Sequence, residues 1–289
     1  MSVGLAAAPG VFQYVTDRLV IPAKVKTPDN DLGNAVAVYL DDICLAADNF
    51  EEMLPRVKAL FNRIRAAGFL LKAKKCDLFQ ETVQYLGYTI SKKGIELSKN
   101  KVERIRHWQA PTSLSELRNF VGFINFYQTH LKDFAKLCQP FYRLFRKNVL
   151  FNWTPECQKN FDKLKDMVSK APVLGVPKLD KGPFVLTTDG STSGLGAVLT
   201  QIQDDQEVTI SFWSKTLNDA QRNYCITHLE LLAVVEAVDA HDLYLAGAPF
   251  IIRTDHSALQ WLQSFKKLRG RLAGKSADTS ECSTYHPKD

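Results

Sequence analysis

Between Ala35 and Ala47 the chain reads A-V-A-V-Y-L-D-D-I-C-L-A-A, an apolar run broken at its centre by two adjacent carboxylates, Asp41 and Asp42. Such a run predicts a buried strand or hairpin, where ionised carboxylates are costly unless a cation or hydrogen bonds compensate. Two readings follow. Asp41 and Asp42 can form the tip of a hairpin flanked by Val36 to Leu40 and Ile43 to Ala47, because Asp is common in turns. Two-residue hairpin turns prefer Asn-Gly or Asp-Gly, however, since both central residues often need positive φ, and Asp-Asp suits that less well. The other reading is a hairpin that offers both acids to a divalent metal ion, whose charge reverses the usual penalty.

A second set of acids lies far along the chain. "FVLTTDGSTSGLGAVLTQ" (Phe184 to Gln201) predicts strand, glycine-rich turn, strand, and "VTISFWSK" (Val208 to Lys215) a third strand. "THLELLAVVEAVDAHDLYL" carries Leu229, Leu232, Val235 and Val238 on one helical stripe, followed by the strand "FIIRTD" (Phe250 to Asp255) and a short helix from His256. Asp189 ends the first strand, Glu230 lies early on the helix and Asp255 ends the fourth strand. Adjacent, parallel first and fourth strands would bring both Asp to one sheet end, with Glu230 above them. Two Mg²⁺ ions about 3.5–4 Å apart in such a cluster clamp the attacking and leaving oxygens of a phosphodiester. Individually the three have plainer readings: Asp189 a turn residue, Glu230 a surface residue and Asp255 a helix cap.

The 289 residues, 45% hydrophobic and 24% charged, indicate a globular chain of about two domains with a connecting module. Six scattered cysteines without a C-x-x-C pair argue against a zinc site or disulfide framework and for a reducing, intracellular setting, cytoplasmic or nuclear. No window supplies the ~20 apolar residues of a membrane span, and "MSVGLAAAPGVFQ" lacks the basic start of a secretion signal. The net charge of +6 is concentrated: Lys92 to Lys147 holds twelve Lys and Arg against four Asp and Glu. Aromatic residues interleave there (His107-Trp108, Phe120, Phe126-Tyr127, Phe141-Tyr142), and charge with stacking surface suits a phosphate backbone, though helical cores use aromatics too.

Before this segment, "NFEEMLPRVKALFNRIRAAGF" predicts a helix on a sheet, with Met53, Leu54, Val57, Leu60, Phe61 and Ile64 inward and Gly68 ending it. "LLKAKKCDLFQETVQYLGYTIS" predicts strands around a turn, broken at Gly87 and Gly94. From Lys99 to Lys170 the period becomes helical, with Ser113 and Glu116 as a capping box and Thr154-Pro155 as cap and first helical residue. The proline-rich "KAPVLGVPKLDKGP" (Lys170 to Pro183) predicts a linker.

Taken in order, these motifs resemble the reverse transcriptase and RNase H region of gypsy-type LTR-retrotransposon Pol polyproteins, over Met1 to about Ala273. "MSVGLAAAPGVFQ" is similar to a palm motif M-P-F-G-L-x-x-A-P-x-x-F-Q, and "YLDDI" to its Y-x-D-D motif. "AGFLLKAKKC" and "YLGYTIS" resemble the palm and primer-grip segments that follow. "TSLSELRNFVGFINFYQTHLKDFAKLCQPFYRLF" and "FNWTPECQKNFDKLK" resemble the thumb and connection. "LTTDGSTSGLGAVLTQ", "RNYCITHLELLAVVEAV" and "RTDHSALQWL" resemble the RNase H-like domain.

The resemblance implies an α/β (α+β) chain: a partial reverse transcriptase palm over 1–98, a helical thumb and connection over 99–170, a linker over 171–183, an RNase H-like mixed sheet of order βββαβα over 184–273, and a divergent tail over 274–289. It implies Mg²⁺ or Mn²⁺, two ions per site, held by Asp41 and Asp42 in one site and by Asp189, Glu230 and Asp255 in the other. Tyr39 would pack near the first site, and Gln13, the backbone near Gly4 and the primer-grip Gly87 would lie on the substrate side. Implied partners are primer–template and RNA/DNA hybrid nucleic acid, with the rest of a Pol polyprotein or a dimer partner.

The chain also departs from the pattern. The family places a further metal-binding Asp on a palm strand upstream of the motif at which this chain begins, so the expectation is no polymerase activity from this chain alone. The family's last strand, final helix and fourth RNase H acid are expected to be missing, since "GKSADTSECSTYHPKD" is polar and aperiodic and reads as a disordered tail, with Asp278 the one acid able to substitute. The Phe250 to Asp255 strand would then be an exposed edge. Two functional readings stay open: part of a two-metal polymerase and RNase H, impaired as it stands, or a non-catalytic nucleic-acid-binding or inert remnant.

Overall fold

The computed structural model describes residues 13–14, 35–178, 181–255 and 282–284. The chain forms two compact units, Met1–Lys92 and Lys93–Asp289, and its secondary structure is mixed α/β.

In the first unit, β1 (Val36–Tyr39) pairs antiparallel with β2 (Asp42–Leu45), Val36 facing Leu45 and Tyr39 facing Asp42. An isolated two-stranded hairpin is marginal in water. Here the inner face, Val36, Val38, Ile43 and Leu45, packs on Ala59, Leu60 and Ile64 of helix α1 (Phe50–Ala66). Asn49 caps α1 by accepting the Glu52 amide at 2.9 Å, and Gly68, at φ +74°, follows its end as predicted. A second hairpin joins β3 (Thr82–Tyr85) to β4 (Tyr88–Ser91) through Leu86 and Gly87, at φ +49° and +83°. Both central residues are left-handed, the turn that matches strand twist, and glycine at 87 adopts it without strain.

The second unit opens with β5 (Gly94–Leu97) and four helices: α2 (Lys99–Arg106), α3 (Leu114–Asn125), α4 (Phe134–Leu144) and α5 (Pro155–Ser169). The predicted caps form. The Glu116 amide donates to Ser113 Oγ at 3.2 Å and the Cys157 amide to Thr154 Oγ1 at 3.3 Å. The reciprocal arm of the capping box is displaced by one residue, because the Glu116 carboxylate accepts from the amide and hydroxyl of Thr112 rather than from Ser113, and these bonds hold its pKa below the usual carboxylate range. Phe120, Phe141 and Phe161 are fully buried, with the Phe141 and Phe161 ring centroids 6.4 and 4.6 Å from that of Phe120, and Tyr127 is buried as well. This corrects the stacking reading of the aromatic residues: Phe120, Tyr127 and Phe141 are helical core, which leaves Phe126 and His107 exposed.

The helices lie in one unit with a five-stranded sheet of order β10-β9-β6-β7-β8. Strands β6 (Phe184–Ser191), β7 (Gly194–Gln203) and β8 (Gln206–Lys215) form the predicted meander, and β9 (Phe250–Arg253) runs parallel to β6, Phe184 facing Phe250 and Thr187 facing Arg253. The β7–β8 turn uses Asp204 and Asp205 at φ +51° and +62°, so an Asp-Asp pair does form a both-positive turn in this chain. Asp tolerates that region better than most side chains, and Lys181 pairs Asp204 at 2.8 Å. Helix α6 (Ile226–Ala240) and the short α7 (Asp242–Leu245) cover one face. Phe184, Leu186, Ala197, Leu199, Ile210, Ala237, Leu245 and Phe250 form its core, each large side chain contributing about 2 kcal/mol of burial. The buried stripe of α6 is Leu229, Ala233 and Ala237, one step round from the predicted one, and it includes Glu230.

Two expectations are corrected. Within the expected tail, Cys282–Thr284 forms β10, which pairs parallel with β9 (Cys282 facing Phe250) and occupies the place of the strand expected to be missing. Backbone N–H and C=O groups make that pairing, so polar composition gave no sign of it. The proline-rich stretch is no free linker either. Leu174 bridges Ile95 of β5 in both directions, and the Gly175 amide donates to the Thr209 carbonyl of β8 at 2.7 Å. Gly4, the helix expected from His256, and Asp278 lie outside the described residues.

Candidate active site

The β1–β2 turn consists of Leu40 and Asp41, with Tyr39 and Asp42 as the closing pair, one residue earlier than an Asp41–Asp42 tip. Asp41 and Asp42 are both exposed. The two carboxylates are therefore not desolvated as expected: the hairpin buries one face and presents them to water at its end. Leu40 sits at φ +50°, a conformation costly for a residue with a Cβ. A brace compensates. Gln13 Oε1 accepts the Leu40 amide at 2.6 Å while its Nε2 donates to the Val38 carbonyl at 3.2 Å, so one side chain grips the turn from both sides. The sequence placed Gln13 on the substrate side; two of its hydrogen bonds are to the hairpin backbone. Tyr39 is 53% exposed. Burial raises the Tyr85 hydroxyl pKa, helped by negative charge at Cys44, when ionised, and at Asp42, and burial also raises the pKa of Cys44.

In the second unit Asp189 is exposed near the end of β6, opposite Gly196 of β7. Asp255 follows β9 and is exposed; it stands two residues beyond the Thr187–Arg253 pair, the same offset as Asp189. Glu230 is buried on α6, and its Oε2 accepts the Gly190 amide at 3.1 Å. The carboxylate of Glu230 is thus anchored to the backbone one residue after Asp189. Gly190 makes the approach possible: a Cβ there would stand 2.5 Å from the Leu229 carbonyl oxygen and 2.7 Å from the Glu230 nitrogen. Sequence reasoning read Asp189-Gly190 as a turn candidate and missed this. The signal was available, since a glycine inside a strand often marks a close backbone approach.

The donor chemistry fits a hard divalent cation, which prefers carboxylate oxygens. Among the described residues Asp41, Asp42, Asp189 and Asp255 make no ion pair with a Lys or Arg. Equally, no three His, Cys, Asp or Glu of the described residues are grouped to hold a metal ion.

Comparison with known proteins matches residues 1–90 to the reverse transcriptase (RNA-dependent DNA polymerase) family model and residues 153–252 to that of the RNase H-like domain found in reverse transcriptase. The second match starts in the helical layer, ahead of β6. The chain is 33% identical over 273 residues to the retrovirus-related Pol polyprotein from transposon 297 of Drosophila melanogaster, covering 94% of this chain and 25% of that protein. It is 29% identical over 279 residues to the transposon Tf2-3 polyprotein of Schizosaccharomyces pombe, covering 96% and 20%. It thus spans a fifth to a quarter of these relatives' length. A foamy viral protease-reverse transcriptase solved with double-stranded DNA shares the fold at TM-score 0.80 and 19% identity, over 98% of this chain and 49% of that one. The foamy viral enzyme solved with an RNA/DNA hybrid does so at 0.78 and 20%, over 100% and 39%.

Proposed function

Since the chain belongs to the reverse transcriptase and RNase H-like region of retrotransposon Pol polyproteins, we propose that it carries carboxylates of two centres for metal-dependent phosphoryl chemistry on nucleic acid: Asp41 and Asp42, the part of a nucleotide-addition centre that is inactive in this chain alone, and Asp189, Glu230 and Asp255, for hydrolysis of the RNA strand of RNA/DNA hybrids. The observation that carries this reading is the matched offset of Asp189 and Asp255 along the lines of parallel β6 and β9, with Glu230 bonded to the Gly190 amide that follows Asp189.

The residues divide the work. Gln13 holds the turn that presents Asp41 and Asp42. Glu230, anchored by the Gly190 amide, stands beside Asp189, and Asp255 completes the set from the end of the neighbouring strand. Tyr39 and Gly87 lie on the substrate side of the polymerase centre. Divalent ions, when bound, supply the positive charge that stabilises the attacking and leaving oxygens. Charge, rather than stacking, grips the duplex: the aromatic residues of the middle segment are largely core, whereas Arg104 and Arg118 are exposed. Binding should accordingly weaken steeply with salt.

Incubation of the chain with a labelled RNA/DNA hybrid and Mg²⁺ or Mn²⁺, beside Asp189→Asn, tests the hydrolytic centre. Cleavage lost in the variant supports it; equal cleavage by both, or none by either, removes it. The lack of a three-acid group among the described residues favours a second reading, a nucleic-acid-binding chain without catalysis. That reading predicts salt-sensitive hybrid binding, with no cleavage, that Asp189→Asn leaves unchanged.

A further inference from the structure

The strap between the helices and the sheet is fastened by two glutamines that the catalytic reading does not use. Gln201 is 1% exposed and Gln203 8%, both on β7. Gln201 Oε1 accepts the Lys178 amide at 2.9 Å, and its Nε2 donates to the carbonyls of Lys178 at 2.6 Å and Gly182 at 3.2 Å. Gln203 Nε2 donates to the Val176 carbonyl at 2.9 Å and to Gln201 Oε1 at 2.8 Å. One buried primary amide therefore reads a backbone donor and acceptor of the same residue, as a strand would, and a second amide orients the first.

Upstream, the strap is zipped to both neighbours, to Ile95 of β5 and Thr209 of β8. Two glycines sit at its tightest points: a Cβ at Gly94 would run into the Leu174 carbonyl and one at Gly175 into the Val208 side chain. The helical layer is tied to the same framework. His130 Nε2 stands 3.3 Å from the Ile95 carbonyl, the Ala135 amide donates to Ser214 Oγ of β8 at 2.8 Å, and Arg146 pairs Asp219 at 3.2 Å.

We infer that Ala171–Lys178 is a rigid splint, and that Gln201 and Gln203 are positioning residues that hold the helical layer in register with the sheet bearing Asp189. Resting on the function proposed above, the splint fixes the spacing between the part of the chain that grips a hybrid and the part that cuts it.

Amide exchange on the full chain decides the splint independently of activity. In the unsubstituted protein the Leu174, Gly175 and Lys178 amides should be protected like those of β7. Gln201→Glu keeps an acceptor for the Lys178 amide but sets a carboxylate against two carbonyls. It should speed exchange at Lys178 by about tenfold or more while Leu174 and Gly175 stay protected. Gln203→Ala provides a milder version in case the first variant does not fold. Unprotected amides at Leu174, Gly175 and Lys178 in the unsubstituted chain, or exchange at Lys178 within about twofold of it in both variants, would overturn the splint. With a recessed hybrid, both variants should broaden the RNA product lengths without moving the pH profile; an unchanged product register removes the positioning role. If the unsubstituted chain cuts nothing, the catalytic reading falls and exchange still decides the splint.

Discussion

Replacing Gly190 by alanine should destabilise the second unit, against the ordinary sign for such a change. Glycine weakens a strand interior by roughly 0.5–1 kcal/mol relative to alanine, so alanine at an unobstructed site would help. Here the new Cβ would meet the Leu229 carbonyl oxygen at 2.5 Å, and ordinary contact begins at 3.4 Å, so α6 must retreat by about 0.9 Å. The Gly190–Glu230 hydrogen bond, 3.1 Å now, would open to about 4 Å and break. Overpacking costs about 1–3 kcal/mol and a hydrogen bond to a charged group about 1.5–3. Relaxation shares these costs, leaving a net loss of about 3 kcal/mol, or roughly 6–12 °C in Tm for a unit of this size. Gly122 on α3 supplies the control, since a Cβ there would meet nothing within 4 Å. Gly122→Ala should gain about 1 kcal/mol from helix propensity alone. Thermal unfolding by circular dichroism, with both variants side by side, reads the difference. A Tm for Gly190→Ala equal to or above the parent's would refute the close approach and with it the anchoring of Glu230.

Gln13→Ala should remove the brace on the Leu40 turn, and exchange of the Leu40 amide should rise by about tenfold, measured by NMR, with helix α1 unaffected. Thr154→Ala should cost about 1 kcal/mol in chemical denaturation through the lost cap on α5. Acid should weaken the second unit. Burial lowers the pKa of both His130 and His241, so below the ordinary imidazole value of about 6.5 the unfolded chain binds more protons than the folded one. Their contribution is fully present above that value and is lost as pH falls through it toward the depressed folded pKa, by at most about 1.4 kcal/mol per pH unit for each imidazole. Denaturant titrations between pH 7.5 and 5.5 check this, and a flat stability there would refute it.

Much of the framework was legible because short-range rules govern it. Asn49, Ser113 and Thr154 cap the helices they precede, and Gly68 ends α1. Gly87 supplies the turn its sequence suggested, and the alternation through β6, β7 and β8 follows from a sheet with one covered face. Less of the site could be read. Asp41 and Asp42 looked buried because the residues around them are apolar, yet a hairpin exposes its tip whatever its flanks contain. Phe120 and Phe141 looked available for stacking because a linear sequence does not say which face of a helix meets another.

The order of residues by itself determined which segments are helix or strand, where most of them stop, and which carboxylates stand at strand ends, since backbone propensity, capping and hydrophobic period act over a few neighbours. Only the tertiary structure decided that Gln13 grips the Leu40 turn, that Glu230 binds the Gly190 amide, that a proline-rich strap is locked by Gln201 and Gln203, and that Cys282–Thr284 pairs with β9. Each is a polar contact between residues far apart along the chain. Whether such groups meet depends on chain packing that no local pattern encodes.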